Sequence, residues 1–336
     1  MKPKNFVLLA LAALVASIAA VISYAANNQW SQGRVAGAKL FPALTSEAGN
    51  VTAIEVRQGE KALTLERKDA GWGVRDRGGY PAENDKVRAL MVKLAQAELI
   101  EAKTRLPDRH ALIEVEDPAA AGAKSRLLRL LDAKGAPVAE IVVGKKRFDV
   151  FGSGRSGTYV RKPKEAQAWL SSADLDPSVN LREWVKPAVL ETDTSKIKSL
   201  TVEMPGEQPL KVERDAEGKA KFTGVSDKMK LKDANAADAV LRAVGSIDME
   251  DVRKAASGND SAGTVKVDAG DGLSLTLRLR KDAEGNWVSI AATGEGDAKK
   301  KAEEIAARTQ GWEFKVATSK ADALLKKRAD LFEAGS

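Results

Sequence analysis

Side chains that could do chemistry are few in this sequence. The chain has a single histidine, His110, and no cysteine, so it offers neither a thiol nucleophile nor a full set of ligands for zinc. A nucleophile–His–acid triad would have to use His110, yet the G-x-S-x-G elbow that exposes a nucleophilic serine is absent. We therefore predict no catalytic, cofactor-binding or metal-binding residues and no bound cofactor. A pair of carboxylates that meets only in the folded chain stays open as an alternative.

The stretch "GSGRSG", from Gly152 to Gly157, matches the G-x-G-x-x-G pattern of phosphate-binding loops. A dinucleotide site needs a helix that opens at the last glycine, so that its N-terminus faces the pyrophosphate. The residues that follow, "TYVRK", instead have the composition of a strand. The lysine and the H-R-D companions of a kinase loop are also missing. We interpret the stretch as a glycine-rich hairpin.

Four similar tetrapeptides place a carboxylate close to a glycine: "DAGW" at Asp69, "DAKG" at Asp132, and "DAEG" at Asp215 and Asp282. A calcium loop would need further oxygen ligands at alternating positions, and none of the four has them. Each lies between two strand-like runs, where aspartate favours the start of a tight turn and glycine permits the positive φ that closes it. The pattern predicts hairpin turns that position strands and do no chemistry.

The strands that these turns would join recur in two halves of the chain. The block "LTLERKDAGW" from Leu63 is matched by "LKVERDAEGK" from Leu210, a shift of 210 − 63 = 147 residues, and each follows an alternating run that indicates a half-buried strand. A helix with one apolar stripe follows in each half. The stripes are Val87, Leu90, Met91 and Leu94, and Ala237, Val240, Leu241 and Val244. The order strand, strand, helix, strand, strand predicts two α+β lobes with mainly antiparallel sheets.

Helix ends are predicted from capping residues. Asn84 and Asn235 precede the two apolar stripes and are the expected N-caps. Ser319 and Asp322 have the spacing of a capping box for a C-terminal helix, and another amphipathic pattern begins at Ala298. We expect both C-terminal helices to cover a sheet, with docking onto a partner or a membrane surface as the alternative.

The N-terminus has the features of a membrane anchor. Lys2 and Lys4 precede an uncharged stretch from Phe6 to Ala25, and twenty helical residues cross roughly 30 Å of hydrocarbon. Because the lysines lie before the span, the positive-inside rule puts the N-terminal tail in the cytoplasm and the bulk of the chain outside. A cleaved signal peptide stays open, since Ser23 and Ala25 could form a small-residue cleavage site.

The composition of the remainder fits a folded body. Of 336 residues, 43% are hydrophobic and 30% are charged, which is enough for a core and argues against general disorder. The net charge of +7 is not concentrated in a basic stripe with interleaved aromatic residues. We therefore predict no nucleic-acid partner.

Taken together, these motifs resemble the bacterial family described as domain of unknown function 4340 (DUF4340). The resemblance covers most of the chain after the predicted anchor, and its carriers include "VTAIEV", "LERKDAGWGV", "LREWVKPAVLE" and "GWEFKVATSKADALLKKRADLF". It implies an N-terminal membrane segment and an exported body. For some members it also implies an association with ABC-type transport components. The family brings no catalytic residues.

We therefore expect a non-enzymatic, single-pass protein of the bacterial inner membrane, anchored by Phe6 to Ala25, with its bulk in the periplasm. Its expected role is that of an accessory or scaffold subunit of a membrane complex, such as an ABC-type transporter. The alternative is a periplasmic binding module for an envelope glycan or lipid. The expected fold is a transmembrane helix followed by two duplicated α+β lobes. The predicted segments are 1–28 for the cytoplasmic tip and anchor, 29–47 for a linker, 48–185 for the first lobe, and 186–336 for the second lobe with the C-terminal helices.

Overall fold

The computed structural model describes residues 14–21, 37–150, 154–226, 229–256, 258 and 261–333. These residues divide into two compact units. Unit 1 consists of the described residues up to Asp69 together with Asn84–Val179. Unit 2 consists of Ala70–Glu83 together with the described residues from Asn180 onward. The chain therefore contributes a short segment to unit 2 before it completes unit 1.

Up to residue 179, strands dominate the secondary structure of the described residues. In chain order the elements are β1 (Ala38–Lys39), α1 (Leu44–Glu47), β2 (Ala53–Gln58), β3 (Lys61–Lys68), β4 (Gly71–Val74), β5 (Tyr80–Pro81), α2 (Asn84–Gln96), β6 (Glu98–Ala102), β7 (Arg126–Leu131), β8 (Pro137–Arg147), β9 (Gly157–Arg161) and β10 (Ala168–Ser171). Short 3₁₀ helices lie at Ala48–Asn50, Arg75–Arg77 and Pro107–Ile113. Of these elements, β4, the 3₁₀ helix Arg75–Arg77 and β5 belong to unit 2.

From residue 180 onward, the described elements all belong to unit 2. In chain order they are β11 (Ala188–Glu191), β12 (Ser199–Glu203), β13 (Leu210–Arg214), β14 (Ala220–Thr223), α3 (Ala236–Ala243), β15 (Ser246–Asp248), β16 (Asp251–Lys254), β17 (Gly263–Asp268), β18 (Leu273–Asp282), β19 (Gly285–Gly294), α4 (Ala298–Thr309), β20 (Trp312–Val316), α5 (Thr318–Leu324) and α6 (Arg328–Leu331). A 3₁₀ helix at Leu181–Glu183 precedes them.

The strands of unit 1 pair in the order β1-β6-β10-β9-β8-β7-β2-β3, and their pairings are antiparallel. Side chains alternate between the two faces of each strand. Ile54 and Val56 of β2 and Leu128 and Leu130 of β7 are buried on one face. The hydrophobic alternation of the sequence thus decides which face of the sheet joins the core.

The main sheet of unit 2 has the order β14-β13-β12-β17-β18-β19-β20-β16, and its pairings are also antiparallel. The run β13-β12-β17-β18-β19-β20-β16 repeats the order β3-β2-β7-β8-β9-β10-β6 of unit 1. One difference is α4, which lies between β19 and β20, whereas a short link joins β9 to β10. The predicted mainly antiparallel α+β architecture is confirmed, and the shared strand order agrees with the predicted repeat.

Hairpin turns form at the predicted tetrapeptides that begin at Asp132, Asp215 and Asp282. Asp132 and Asp215 each accept hydrogen bonds from backbone amides two and four residues further on, at 2.8–3.0 Å. Asp282 lies opposite Gly285 where β18 and β19 end in a two-residue turn. The closing glycines have positive φ, as predicted: Gly135 (+78°), Gly218 (+80°) and Gly285 (+136°). The turn prediction is confirmed at these sites.

The other two glycine motifs occupy different settings. The tetrapeptide at Asp69 lies where the chain passes from unit 1 to unit 2. The "GSGRSG" stretch lies between the paired strands β8 and β9, and its residues 152 and 153 are outside the described part of the chain. β9 begins at Gly157, so the last glycine opens a strand and not a helix, which confirms that prediction.

Of the two predicted N-caps, Asn235 is confirmed in position and Asn84 is wrong. α2 already begins at Asn84. Asn235 occupies the N-cap position of α3, but its side chain makes no capping hydrogen bond. Asp233 instead accepts a hydrogen bond from the backbone amide of Asn235 at 2.8 Å, so a carboxylate two residues earlier binds the backbone at the start of this helix.

The predicted capping box of the C-terminal helix is also wrong. α5 begins at Thr318 after Ala317 and has no side-chain cap. A capping hydrogen bond occurs further on, where the backbone amide of Lys327 donates to Oδ2 of Asp330 at 3.1 Å at the start of α6. α5 ends at Leu324, and a separate helix, α6, begins four residues further on at Arg328. The prediction that the C-terminal helices cover a sheet is confirmed, since α4 packs on β18 and β19, and α5 packs on β19.

Residues 70–83 are built into the core of unit 2. Tyr80 is buried, and its ring contacts Trp312 and Phe314 edge-on, with centroid separations of 5.0 and 5.8 Å. The backbone amide of Glu83 donates to the carbonyl oxygen of Trp184 at 2.7 Å. Burial raises the pKa of the Tyr80 hydroxyl to about 12, against a smaller opposing effect of a nearby arginine.

The predicted membrane anchor lies mostly outside the described residues. Residues 14–21 of it are helical, and all eight are exposed. They include the large apolar side chains Leu14, Val15, Ile18 and Val21. Across the part of the chain that the structure describes, no helix combines the length and the apolar character needed to cross a bilayer. The anchor from Phe6 to Ala25 stays a prediction.

Candidate functional site

Unit 1 carries a pocket of about 680 Å³ over the middle of its sheet. Its floor includes Leu127, Val142 and Arg161, which are direct cross-strand neighbours in β7, β8 and β9. Alternation puts these side chains on the face opposite the buried Leu128. The walls are the segment that starts at Pro107 and the link between β9 and β10. The volume lies in the range of small-molecule pockets, roughly 300–1,000 Å³.

Arg161 holds the walls of this pocket together. Its Nε donates to the carbonyl oxygen of Val115 at 2.8 Å, and its Nη1 donates to that of Glu165 at 3.1 Å. Burial lowers the pKa of Arg161, and the nearby carboxylates of Asp117 and Glu116 oppose this effect. Because its donors are directed at backbone carbonyls, Arg161 positions the two wall segments.

His110 is the single histidine of the sequence. It is buried in the wall of the pocket. Its Nε2 lies 2.9 Å from the carbonyl oxygen of Ala166. A carbonyl only accepts hydrogen bonds, so this nitrogen carries the proton and donates it. The contact joins the 3₁₀ helix Pro107–Ile113 to the β9–β10 link, which is a structural task.

Carboxylates line the edge of the same pocket. One oxygen of Glu116 accepts hydrogen bonds from the backbone amides of Lys124 and Ser125, at 2.6 and 3.1 Å, while its Oε2 is buried and has no partner among the described residues. Glu140 pairs with Arg129 at 3.0 Å. Polar groups therefore converge on a partly apolar floor, an arrangement typical of a binding pocket.

Unit 2 has a pocket of about 500 Å³ over the corresponding strands of its sheet. Thr264, Arg278 and Ser289 are direct cross-strand neighbours in β17, β18 and β19 and form a row across its floor. Lys266 and Thr276 form the adjacent row. Where the pocket of unit 1 has leucine and valine, this pocket has hydroxyl groups and an arginine.

A charged cluster borders this second pocket. Arg253 donates to Glu313 at 3.1 Å, to Asp282 at 2.7 Å and to Glu284 at 3.0 Å. Its guanidinium also stacks on the ring of Trp287, 3.8 Å from the centroid, and Trp287 Nε1 donates to Asp282 at 3.1 Å. The stretch from Lys281 to Trp287 therefore supplies both the turn and the partners that hold Arg253.

Hydrogen bonds shift the pKa values of the charged side chains in this cluster. Burial lowers the pKa of Arg253, but its hydrogen bonds to Asp282 and Glu313 outweigh burial, so the pKa of Arg253 is raised. The hydrogen bond from Arg253 lowers the pKa of Asp282. Every charge in the cluster thus has a counter-charge in contact, as expected of a structural network.

Neither Arg253 nor Arg278 is a site residue predicted from the sequence. For Arg278 a signal was present: in "LSLTLRLRK" the leucines alternate with polar residues, and the polar positions fall on the open face of β18. For Arg253 no local signal exists, since its partners lie about thirty to sixty residues further along the chain. In the part of the chain that the structure describes, no three side chains of the metal-ligating kinds come together.

Comparison with known proteins gives one match. The family model described as "Domain of unknown function (DUF4340)" matches residues 72–269. This range includes the segment that joins unit 2 early, the pocket of unit 1 and β17 of the second pocket. No curated protein and no solved structure matches the chain.

Proposed function

Because the chain belongs to the DUF4340 family, a domain of unknown function, we propose its role from its own residues. We propose that it is a non-enzymatic, membrane-anchored envelope protein that serves as an accessory or scaffold subunit of a membrane complex. An ABC-type transport complex is the assembly that the family resemblance favours. The anchor is the segment from Phe6 to Ala25, with the bulk of the chain in the periplasm.

The exposed apolar helix at residues 14–21 carries this proposal. Leu14, Val15, Ile18 and Val21 are 51–66% exposed, and no residue of this helix is charged. Leaving such surface in water costs about 25 cal/mol for each Å². A helix without a polar face is normally covered by lipid or by protein. With Lys2 and Lys4 before it, the segment supports insertion with the N-terminal tail in the cytoplasm.

The contacts of the polar residues support a non-enzymatic role. A general acid or base must reach the proton that it transfers. His110 donates to a backbone carbonyl, and Arg253 is enclosed by Asp282, Glu284 and Glu313. These groups stabilise the fold, which is what a scaffold requires.

Reporter fusions test the anchor. A reporter that is active only outside the cytoplasm, fused after Gly33, should be active, and the full chain should stay in the membrane fraction. The double variant Val15→Lys/Ile18→Lys should lose the membrane fraction, since each lysine at mid-span costs about 2.5–3.5 kcal/mol. The matched control, Val92→Lys/Leu112→Lys at exposed apolar positions of unit 1, should keep it. A mature N-terminus at Ala26 would contradict the anchor.

Purification in mild detergent tests the scaffold role. The full chain should bring down other membrane-complex subunits at a fixed ratio, and the Val15→Lys/Ile18→Lys variant should not. A chain that leaves the membrane alone, under conditions that keep unrelated membrane complexes intact, would contradict the scaffold role without touching the anchor.

The pocket of unit 1 favours a second candidate function, the binding of an envelope glycan or lipid. The observation is its floor of Leu127 and Val142 beneath converging carboxylates. Val142→Arg would place a charge in this floor and should remove any ligand that co-purifies with the wild-type protein. Mass spectrometry of the extracted protein checks this, and an identical ligand content in both proteins would contradict the candidate.

A further inference from the structure

The pocket of unit 2 contains an arginine that has no partner among the residues that the structure describes. Arg278 is exposed near the middle of β18, and within the described residues its side chain makes neither a hydrogen bond nor an ion pair. Two residues further on, Arg280 lies 3.7 Å from the buried carboxylate of Glu313. In the adjacent row, Lys266 pairs with Glu203 at 2.8 Å. Among the described residues, the donors of Arg278 therefore have no partner, while its basic neighbours are paired.

Strand register places hydroxyl groups on both sides of Arg278. Thr264 lies directly opposite it on β17, and Ser289 lies directly opposite it on β19. Direct antiparallel neighbours have Cβ atoms about 4.5–5.5 Å apart, so the three side chains form one continuous row. The row contains hydrogen-bond donors and no carboxylate, and Thr276 adds another hydroxyl beside it.

The repeated unit shows which residue of unit 1 corresponds to Arg278. Glu66 and Glu213 hold the same place in the repeated block. In unit 1, Glu66 pairs with Ala53, which pairs with Leu131 of β7. Four residues before Leu131, the same strand contributes Leu127 to the row Leu127, Val142 and Arg161. In unit 2, Glu213 pairs with Ser199, which pairs with Asp268 of β17. Four residues before Asp268, the same strand contributes Thr264 to the row Thr264, Arg278 and Ser289. Arg278 thus corresponds to Val142, which is buried in a hydrophobic cluster with Val115 and Tyr159, whereas Arg278 is exposed on the open face of its sheet.

An exposed arginine with a hydroxyl group on either side is suited to binding an anionic ligand. The guanidinium presents a planar fork of donors that matches the oxygens of an oxyanion. Hydroxyl groups on either side can donate to the remaining oxygens, which suits a tetrahedral anion better than a planar carboxylate. The pocket is large enough for such a group, at about 500 Å³.

We propose that Arg278, with Thr264 and Ser289, forms a phosphate-binding site on the open sheet face of unit 2. The phosphate is either free or carried by a lipid headgroup or another envelope molecule. The site goes beyond the scaffold role and does not depend on the anchor, since all three residues lie within the sheet of unit 2.

Titration of the full-length protein in mild detergent tests the site. Isothermal titration calorimetry with inorganic phosphate should show saturable binding to the wild-type chain, weakening as salt rises. Arg278→Gln should weaken binding about tenfold or more, because it removes a charge-assisted hydrogen-bonded pair. Arg278→Lys should weaken it less, and Ser289→Ala should weaken it by a smaller factor. Arg88→Gln, the same charge change on the exposed surface of α2, should bind like the wild type.

The comparison must be made between folded proteins. Arg278 is exposed, so Arg278→Gln should melt at the wild-type temperature. If Arg278→Gln fails to fold, the Ser289→Ala and Arg278→Lys proteins carry the comparison. Equal phosphate affinity in wild type, Arg278→Gln and Arg88→Gln would overturn the proposal, and so would the absence of saturable phosphate binding to the wild type.

Vesicles distinguish the sources of the phosphate. Binding of the detergent-free chain with the Val15→Lys/Ile18→Lys change to phosphatidylglycerol vesicles should depend on Arg278 if the source is a lipid headgroup. Arg278-dependent binding of inorganic phosphate without any vesicle binding would support the site and assign it to a free or non-lipid phosphate. Vesicle binding that is the same with Arg278→Gln would have to come from other residues and would count against a headgroup at this site.

Discussion

Arg253 lies against the ring of Trp287 and contacts three carboxylates, so its charge is held by the fold. Burial alone would favour the neutral form, but hydrogen bonds to Asp282 and Glu313 outweigh it and raise the pKa of Arg253. Arg278 lies on the same sheet face and has no such partners among the described residues. The comparison separates a charge that stabilises unit 2 from a charge that is available to a ligand.

The buried hydroxyl of Tyr80 predicts a pH dependence of stability. Its pKa is about 12 in the folded chain, above the ordinary value near 10. The group contributes stability that is fully present below pH 10 and is lost as the pH rises through about 12. Tyr80→Phe keeps the ring against Trp312 and removes the ionisation. Its free energy of unfolding should therefore fall less than that of the wild type between pH 10 and 12, by up to about 3 kcal/mol.

Urea unfolding monitored by tryptophan fluorescence at several pH values checks this prediction. Tyr159→Phe, in the sheet of unit 1, controls for the loss of a tyrosine hydroxyl. Parallel pH curves for wild type and Tyr80→Phe would show that the folded Tyr80 ionises as it does in the unfolded chain.

The hairpin of β18 and β19 is the element that connects local sequence to the charged cluster. Its two-residue turn brings Asp282 opposite Gly285, and the strand pairing carries Trp287 opposite Arg280. The turn thereby sets the distance at which Asp282 and Trp287 meet Arg253 of a different strand. A change that distorts the turn should therefore weaken the cluster as well as the hairpin.

Gly285→Val tests this element. The φ of Gly285 is +136°, a region that β-branched residues avoid, so we expect a loss of about 1–3 kcal/mol in the free energy of unfolding. The added Cβ would also come within 2.9 Å of Lys315 Cε, which can move because it is near the end of a flexible side chain. Backbone strain is thus the main cause.

Chemical denaturation compares Gly285→Val with Gly49→Val. Gly49 lacks a positive φ and has open space around its Cβ position, so its substitution should cost much less. An equal loss in both variants would show that valine and not the turn geometry causes the effect.

At the scale of the whole molecule, the chain is not divided into units at a single point. Residues 70–83 precede α2 of unit 1 in sequence, yet Tyr80 lies in the core of unit 2 against Trp312 and Phe314. Unit 2 is therefore complete only when it includes a segment from the first quarter of the chain. Cutting the chain between the two units leaves that core uncovered.

A fragment of residues 180–336 should consequently be less stable than the same fragment with residues 70–83 restored. The amide of Glu83 contacts Trp184, so a short flexible linker can join residue 83 to residue 180. Aromatic pairs contribute about 0.5–1.5 kcal/mol each beyond the area that they bury. We expect the fused segment to raise the melting temperature by roughly 5–10 °C.

Differential scanning calorimetry of the two fragments measures this difference. A fusion that carries Tyr80→Ala serves as the matched control and should lose most of the gain. If the fragment without residues 70–83 melts at the same temperature as the fused one, the segment does not contribute to the stability of unit 2.

By itself, the sequence determined the local features of this protein. Hydrophobic alternation, Asp-to-Gly turns and two apolar stripes predicted the hairpins, the helices and the repeated order of elements, because these depend on residues close together in the chain. Only the tertiary structure decided what depends on distant residues. The placement of residues 70–83, the partners of Arg253 and the surroundings of Arg278 among the described residues follow from strand register and packing across many residues, which no local pattern specifies.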